Sequence, residues 1–195
     1  MICYTISSTS LQSKGRSLPT EKISRVDAVE RFLNATTILL CSKTPSELTL
    51  NDIAGQAELG QHYIYRFFGT RLDLLIEVSD LLAAQAGKSL QHKISDNELD
   101  FAQLLELCRS VCARRILLLD YMAAQGVPAA RFQEGNRLIY TGISQFFRNS
   151  GVPTARALSN GVAVLALIHA EISLLPTLDL QTEELSDIIS LFAAR

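Results

Sequence analysis

Apolar positions recur along this chain with a helical period, and short polar breaks divide them into segments. From Arg25 to Leu40, Val26, Val29, Leu33, Thr36 and Leu40 fall on one face, widened by Phe32 and Leu39. Residues 49–74, TLNDIAGQAELGQHYIYRFFGTRLDL, read as two short helices, a tight turn and the start of a third helix. Thr49 with Asp52 suits a helix start, because the hydroxyl accepts from an orphan amide while the carboxylate favours the positive end. Ile53, Ala54 and Ala57 then make a narrow stripe whose small residues admit a close neighbour. Gly60 is expected to form the turn, since glycine enters left-handed backbone without steric cost. From Gln61 the period resumes, with Ile64, Phe67 and Phe68 inward and Gln61, His62, Tyr63 and Arg66 on the outer face and leading end. Gly69 stops this helix, and Thr70 with Asp73 repeats the capping pattern.

The next helix starts at Arg71 and carries Leu72, Leu75, Ile76, Leu82 and Ala86. Ser95 to Asp100 is a polar break with Ser95-x-x-Glu98 as a capping box, and a long helix follows from about Phe101 to Gln125. Gly-Val-Pro stands at 126–128 and again at 151–153, each time with a glycine suited to a helix end and a proline suited to the next first turn. Helices over 129–149 and 154–175 follow, the second ended by Pro176, and a last one spans 182–194. The fold class is therefore all-α. A leader over 1–22 precedes a helix-turn-helix domain over 23–70. A helical domain over 71–195 follows, with 71–94 as its linking helix.

Composition narrows the function. Trp is absent, and 48% of the 195 residues are hydrophobic, which leaves apolar surface for a partner or ligand. The net charge of -2 offers no overall basic character, but Lys14, Arg16, Lys22 and Arg25 outweigh Glu21 near the start. That Ser/Thr-rich stretch lacks the apolar core of a signal peptide. It reads as a disordered leader or as a basic arm that touches DNA. No run approaches the ~18 apolar residues of a membrane span, so no membrane role is expected. Cys3, Cys41, Cys108 and Cys112 show no CxxC spacing. Cys108 and Cys112, one turn apart, read as small buried residues before half of a metal site. Phosphate loops, nucleophile elbows and HExxH are missing, so neither an enzyme nor a metal or cofactor protein is expected.

Thr49, Ile53-Ala54, Ala57, Leu59, Ile64-Tyr65, Phe68, Arg71 and Leu74 carry a resemblance. The segment from about Val26 to Leu81 is similar to the DNA-binding signature of the TetR family of bacterial transcription regulators. Glu58 stands where that family usually has glycine, Gly60 where it has serine, Arg71 where lysine is commoner, and Phe67 where a histidine or tyrosine often meets phosphate. The resemblance implies base contacts from Gln61, His62, Tyr63 and Arg66, with Asn51 nearby, and phosphate contacts from Thr49, Tyr65 and Arg71. Arg66 to guanine and Gln61 to adenine are the best donor–acceptor matches. For Tyr65, packing against the first helix is the competing reading.

The same resemblance implies a homodimer on double-stranded DNA at a palindromic operator, and an effector pocket in the C-terminal domain. Leu158, Val162, Leu165, Ile188 and Phe192 form the expected dimer face, unless those helices only complete a monomeric core. Tyr121, Tyr140, Phe146 and His169 are the expected pocket lining, with an apolar or aromatic small molecule as effector. His169 lies among apolar neighbours and is expected to be substantially buried, as a hydrogen-bonded core residue or as pocket lining. The expected protein is a DNA-binding repressor released by a ligand, in the bacterial cytoplasm and nucleoid-associated. A helical dimer whose N-terminal module contacts protein is the alternative.

Overall fold

The computed structural model describes residues 23–96 and 99–178. The leader over 1–22, the helix over 182–194 with Ile188 and Phe192, and Glu98 of the expected capping box lie outside these residues. The described elements are α1 (Arg25–Leu39), α2 (Leu50–Ala57), α3 (His62–Phe67), α4 (Arg71–Asp96), α5 (Phe101–Ala124), a 3₁₀ turn (Ala129–Phe132), α6 (Gln133–Asn149) and α7 (Thr154–Leu178).

Ser24 caps α1, its hydroxyl accepting from the Asp27 amide at 3.1 Å. The buried face of α1 is Ala28, Phe32, Ala35 and Thr36; Phe32, Thr36 and Leu40 of the expected face are buried and Leu33 and Leu39 pack against the core, while Val26 points to solvent. Small Ala28 and Ala35 flank Phe32 and let neighbouring helices close over the ring.

α4 spans two core clusters. Its first half gives Leu74, Leu75, Val78 and Leu82 to a core shared with Phe32, Ile53, Ile64, Leu118 and Met122. Its second half gives Ala83, Ala86, Leu90 and Ile94 to a core shared with Leu104, Ile116, Ile139, Val164 and Ile168. One rigid helix thereby joins the helix-turn-helix to the C-terminal helices. Gly87 and Gly142 let α4 and α6 approach closely, for a Cβ on Gly87 would lie 3.1 Å from the Leu138 carbonyl oxygen.

Both Gly-Val-Pro segments terminate helices as expected. Gly126 and Gly151 each take φ of 82°, and the amides of Val127 and Val152 return to the carbonyls of Met122 and Phe147 at 3.0 Å. Three expectations change. The cap of α5 is Asp100 paired with Gln103, while Ser95 stays inside α4, whose apolar face continues to Ile94. The expected helix 129–149 opens with a 3₁₀ turn, which carries Phe132 into the first core before α6 begins. Finally, α7 runs past Pro176 to Leu178. A proline this near the end removes one amide donor, and too little helix follows for the break to matter.

Residues 154–173 of α7 are also long and apolar enough, by length and composition, to cross a membrane, contrary to the expectation. In the fold this helix has one packed face, with Ala157, Val164 and Ile168 buried. Its far end is tied to α5 by polar contacts. Glu171 accepts from Arg109 Nε at 2.6 Å, and His169 and Ser173 both bind Asp120.

Candidate nucleic-acid interface

α2 and α3 make the reading head, and local chemistry sets their angle. Thr49 and Asp52 cap α2 reciprocally: Thr49 Oγ1 accepts from the Asp52 amide at 3.1 Å, and Asp52 Oδ2 accepts from the Thr49 amide at 3.0 Å. Lys43 Nζ lies 2.8 Å from Asp52 Oδ1. Hydrogen bonds from Lys43 and then from Thr49 hold the Asp52 carboxyl down at about 2, so it is ionised at neutral pH. Thr49, the expected phosphate contact, is exposed, with its hydroxyl also donating to Asp52 Oδ2 at 2.7 Å.

The turn reverses at Glu58, not at Gly60. Glu58 has φ 55° and ψ 39°, the left-handed conformation, and the Leu59 amide bonds back to the Ala54 carbonyl at 3.0 Å. That ladder closes where α2 ends, so the strained position falls on the residue after Ala57 whatever its type. Gly60 has no positive φ, and its role is space: a Cβ there would meet His62 Nδ1 at 2.6 Å. Glu58→Gly is expected to stabilise the fold by about 0.5–1 kcal/mol, since left-handed backbone costs an L-residue about 1–2 kcal/mol and glycine gives back part through chain entropy. Thermal denaturation checks this, with a rise of about 2–3 °C expected.

Of the expected base-contacting residues, Gln61, His62 and Tyr63 stand at the leading end of α3, Arg66 in its last turn and Asn51 in the first turn of α2. Gln61 is its N-cap residue and donates from Nε2 to Asn51 Oδ1, linking α3 to α2. His62 and Arg66 are exposed. Tyr63 is half-buried between rings, 4.2 Å from His62 and 5.6 Å from Phe67, and packs against the first core. Tyr65 is 56% exposed. Arg66 stands over the Phe67 ring at 5.6 Å, so the ring at this unusual position supports a cation. Beneath the head, Phe32 meets Phe68 edge-to-face at 6.1 Å.

Arg71 is half-buried. Its Nη1 donates to the Tyr121 hydroxyl at 2.7 Å, Nη2 donates to the Pro45 carbonyl, and the guanidinium stacks over the Tyr121 ring at 5.4 Å. Arg71 therefore fastens the start of α4 to α5 and to the loop before α2. No local pattern signals this link, because its partners lie 26 and 50 residues away.

The expected pocket residues separate. Tyr121 belongs to that joint, and Phe146 packs in a trio with Phe101 and Phe147. Tyr140 and His169 line one cavity of about 560 Å³ between α5, α6 and α7, together with Arg115, Asn136, Val162 and Leu165. His169 is half-exposed rather than substantially buried, and it binds Asp120 Oδ1 at 2.8 Å. It sits where the packed face of α7 gives way to its open flank. On that flank Val162 is 49% exposed, while Leu158 and Leu165 are half-buried. Cys108 and Cys112 are buried, and burial raises both thiols, Cys112 to about 12, so they pack as neutral apolar groups.

An all-helical chain with a helix-turn-helix joined by one long helix to a second helical core belongs to a recognisable structural class. No family model and no curated protein matches the sequence. Among solved structures, the chain is similar to the TetR family repressor AlkX from Dietzia sp. strain DQ12-45-1b, implicated in biodegradation of n-alkanes. That match has a TM-score of 0.57 and 18% identity, over 85% of this chain and 94% of the other. A TetR-family regulator of Mesorhizobium loti aligns at 0.47 and 15% identity, over 76% of this chain and 98% of the other. One from Vibrio parahaemolyticus aligns at 0.42 and 18% identity, over 83% and 94%. The chain has the TetR-family fold.

Proposed function

We propose that this protein is a DNA-binding transcription regulator, a repressor that works as a homodimer on a palindromic operator in the bacterial cytoplasm and leaves it when a small ligand binds. The observation that carries the reading is the head itself. A capped α2, a left-handed turn and a short α3 offer Asn51 from α2, Gln61 and His62 from the start of α3 and Arg66 from its last turn, with Asn51, His62 and Arg66 exposed. Amide, imidazole and guanidinium groups match the donor and acceptor pattern of major-groove base edges. The open apolar flank of α7 supports the dimer, because two heads on one rigid body engage half-sites about 34–36 Å apart. Ligand release requires the effector to bind one arrangement of the heads better than the other.

Base reading and phosphate holding separate experimentally. Gln61→Ala is expected to relax preference at one base position per half-site. Tyr65→Phe, which removes a hydroxyl from an exposed expected phosphate contact, is expected to weaken binding to every sequence alike while leaving the salt slope unchanged, since no charge is lost. Titrations on specific and random duplexes at several salt concentrations check both. Equal losses on the two DNAs for both variants would refute this division of roles.

A further inference from the structure

We propose that the cavity between α5, α6 and α7 takes a ligand bearing a carboxylate, and that Arg115 holds the acid group. This deepens the effector reading above and rests on it for the ligand's role, replacing a neutral apolar effector by an amphiphilic anion.

Arg115 is only 1% exposed, yet its partners carry no charge. Its Nε donates to the Ser79 carbonyl at 3.2 Å, Nη1 to Asn136 Oδ1 at 2.7 Å and Nη2 to the Phe132 carbonyl at 3.5 Å. Among the described residues no carboxylate comes within ion-pair distance of it. Asp80 acts on it only from farther off, and that carboxylate is engaged by Arg131 at 2.9 Å. A buried cation without a counter-ion is costly, and such groups are ordinarily paired.

The other charges around the cavity are already matched. Glu134 takes two hydrogen bonds from Arg137, at 2.8 and 2.6 Å, and His169 binds Asp120. Arg115 is thus the lining charge left unanswered among the described residues. Its guanidinium has five donors, of which three are used, so one N–H on each terminal nitrogen remains to donate to an acid group. Gly135 keeps the space around it, since a Cβ there would lie 2.6 Å from Nη2. Ile116, Leu119, Val162 and Leu165 supply the apolar wall for the rest of the ligand, and about 560 Å³ suits a small organic acid. Val162 and Leu165 also stand on the open flank of α7, so an occupant touches the helix that the proposed partner copy covers.

Calorimetric titration of the intact protein with octanoate, octanamide, benzoate and benzamide tests the site. Wild type is expected to bind at least one acid about tenfold or more tighter than its amide, as loss of a charge-assisted hydrogen bond implies. Arg115→Met is expected to abolish that preference while keeping the helical circular-dichroism signal. Should Arg115→Met fail to fold, Arg115→Lys keeps the charge without the fork and is expected to show a reduced preference. Equal binding of acid and amide, no binding of either acid at about 1 mM, or a preference undiminished in the folded variant overturns the proposal. Release of a bound palindromic duplex is followed separately. Acid that binds through Arg115 but leaves the DNA bound supports the site and overturns the effector reading.

Discussion

Phe32→Ala is expected to destabilise the protein by about 3–5 kcal/mol, the usual loss for a large buried aromatic. Phe32 is fully buried and touches the Phe68 ring, so it forms the floor on which α3 rests. Domain stabilities are about 5–15 kcal/mol, so this single change removes a large share. Urea denaturation followed by circular dichroism measures it, and DNA binding should fall in parallel, because α3 has only six residues and no side-chain cap of its own. A loss below about 1 kcal/mol would mean that α1 does not support the reading head.

The second large effect concerns assembly. Val162→Asp is expected to turn a dimer into a monomer at micromolar concentration and to weaken operator binding by about 100-fold or more. Val162 is 49% exposed on the open flank of α7, and a carboxylate buried there without a partner in an apolar contact is costly. Two linked heads gain about 10²–10⁴ in avidity over one, and that gain is what disappears. Sedimentation velocity and titration of the same sample decide it. A wild-type monomer that still binds a palindromic site tightly would remove the dimer from the account.

Much of the architecture is legible in the amino-acid sequence, because its signals are local. The two Gly-Val-Pro segments marked helix ends correctly, since a left-handed residue after a helix strongly favours glycine. The turn of the reading head falls at Glu58 rather than at the expected Gly60 for a related reason. Gly60 has the permissive residue type, but the backbone ladder of α2 closes one residue after Ala57 and forces Glu58 into the left-handed region. Val26 and Ala28 show the same limit, for periodicity finds a face without saying which neighbours close on it. Within the candidate site, the grouping of Asn51 with Gln61, His62 and Arg66 followed from the family resemblance. The Gln61–Asn51 bond and the Arg71–Tyr121 joint arise from tertiary contact alone. In sequence, Arg114 and Arg115 read as a solvated or ion-paired face, with contact to an acidic effector as the alternative, and only burial separates Arg115 from half-buried Arg114.

The proposed regulator works by sequence-specific recognition of DNA by paired α2–α3 heads. Selection of bound duplexes from a random library by the full-length protein, at near-physiological salt, tests it most directly. Enrichment of a two-fold symmetric site whose half-sites lie one helical turn or a multiple apart is expected. A library that emerges unenriched, or enriched in a single site without symmetry, would contradict it.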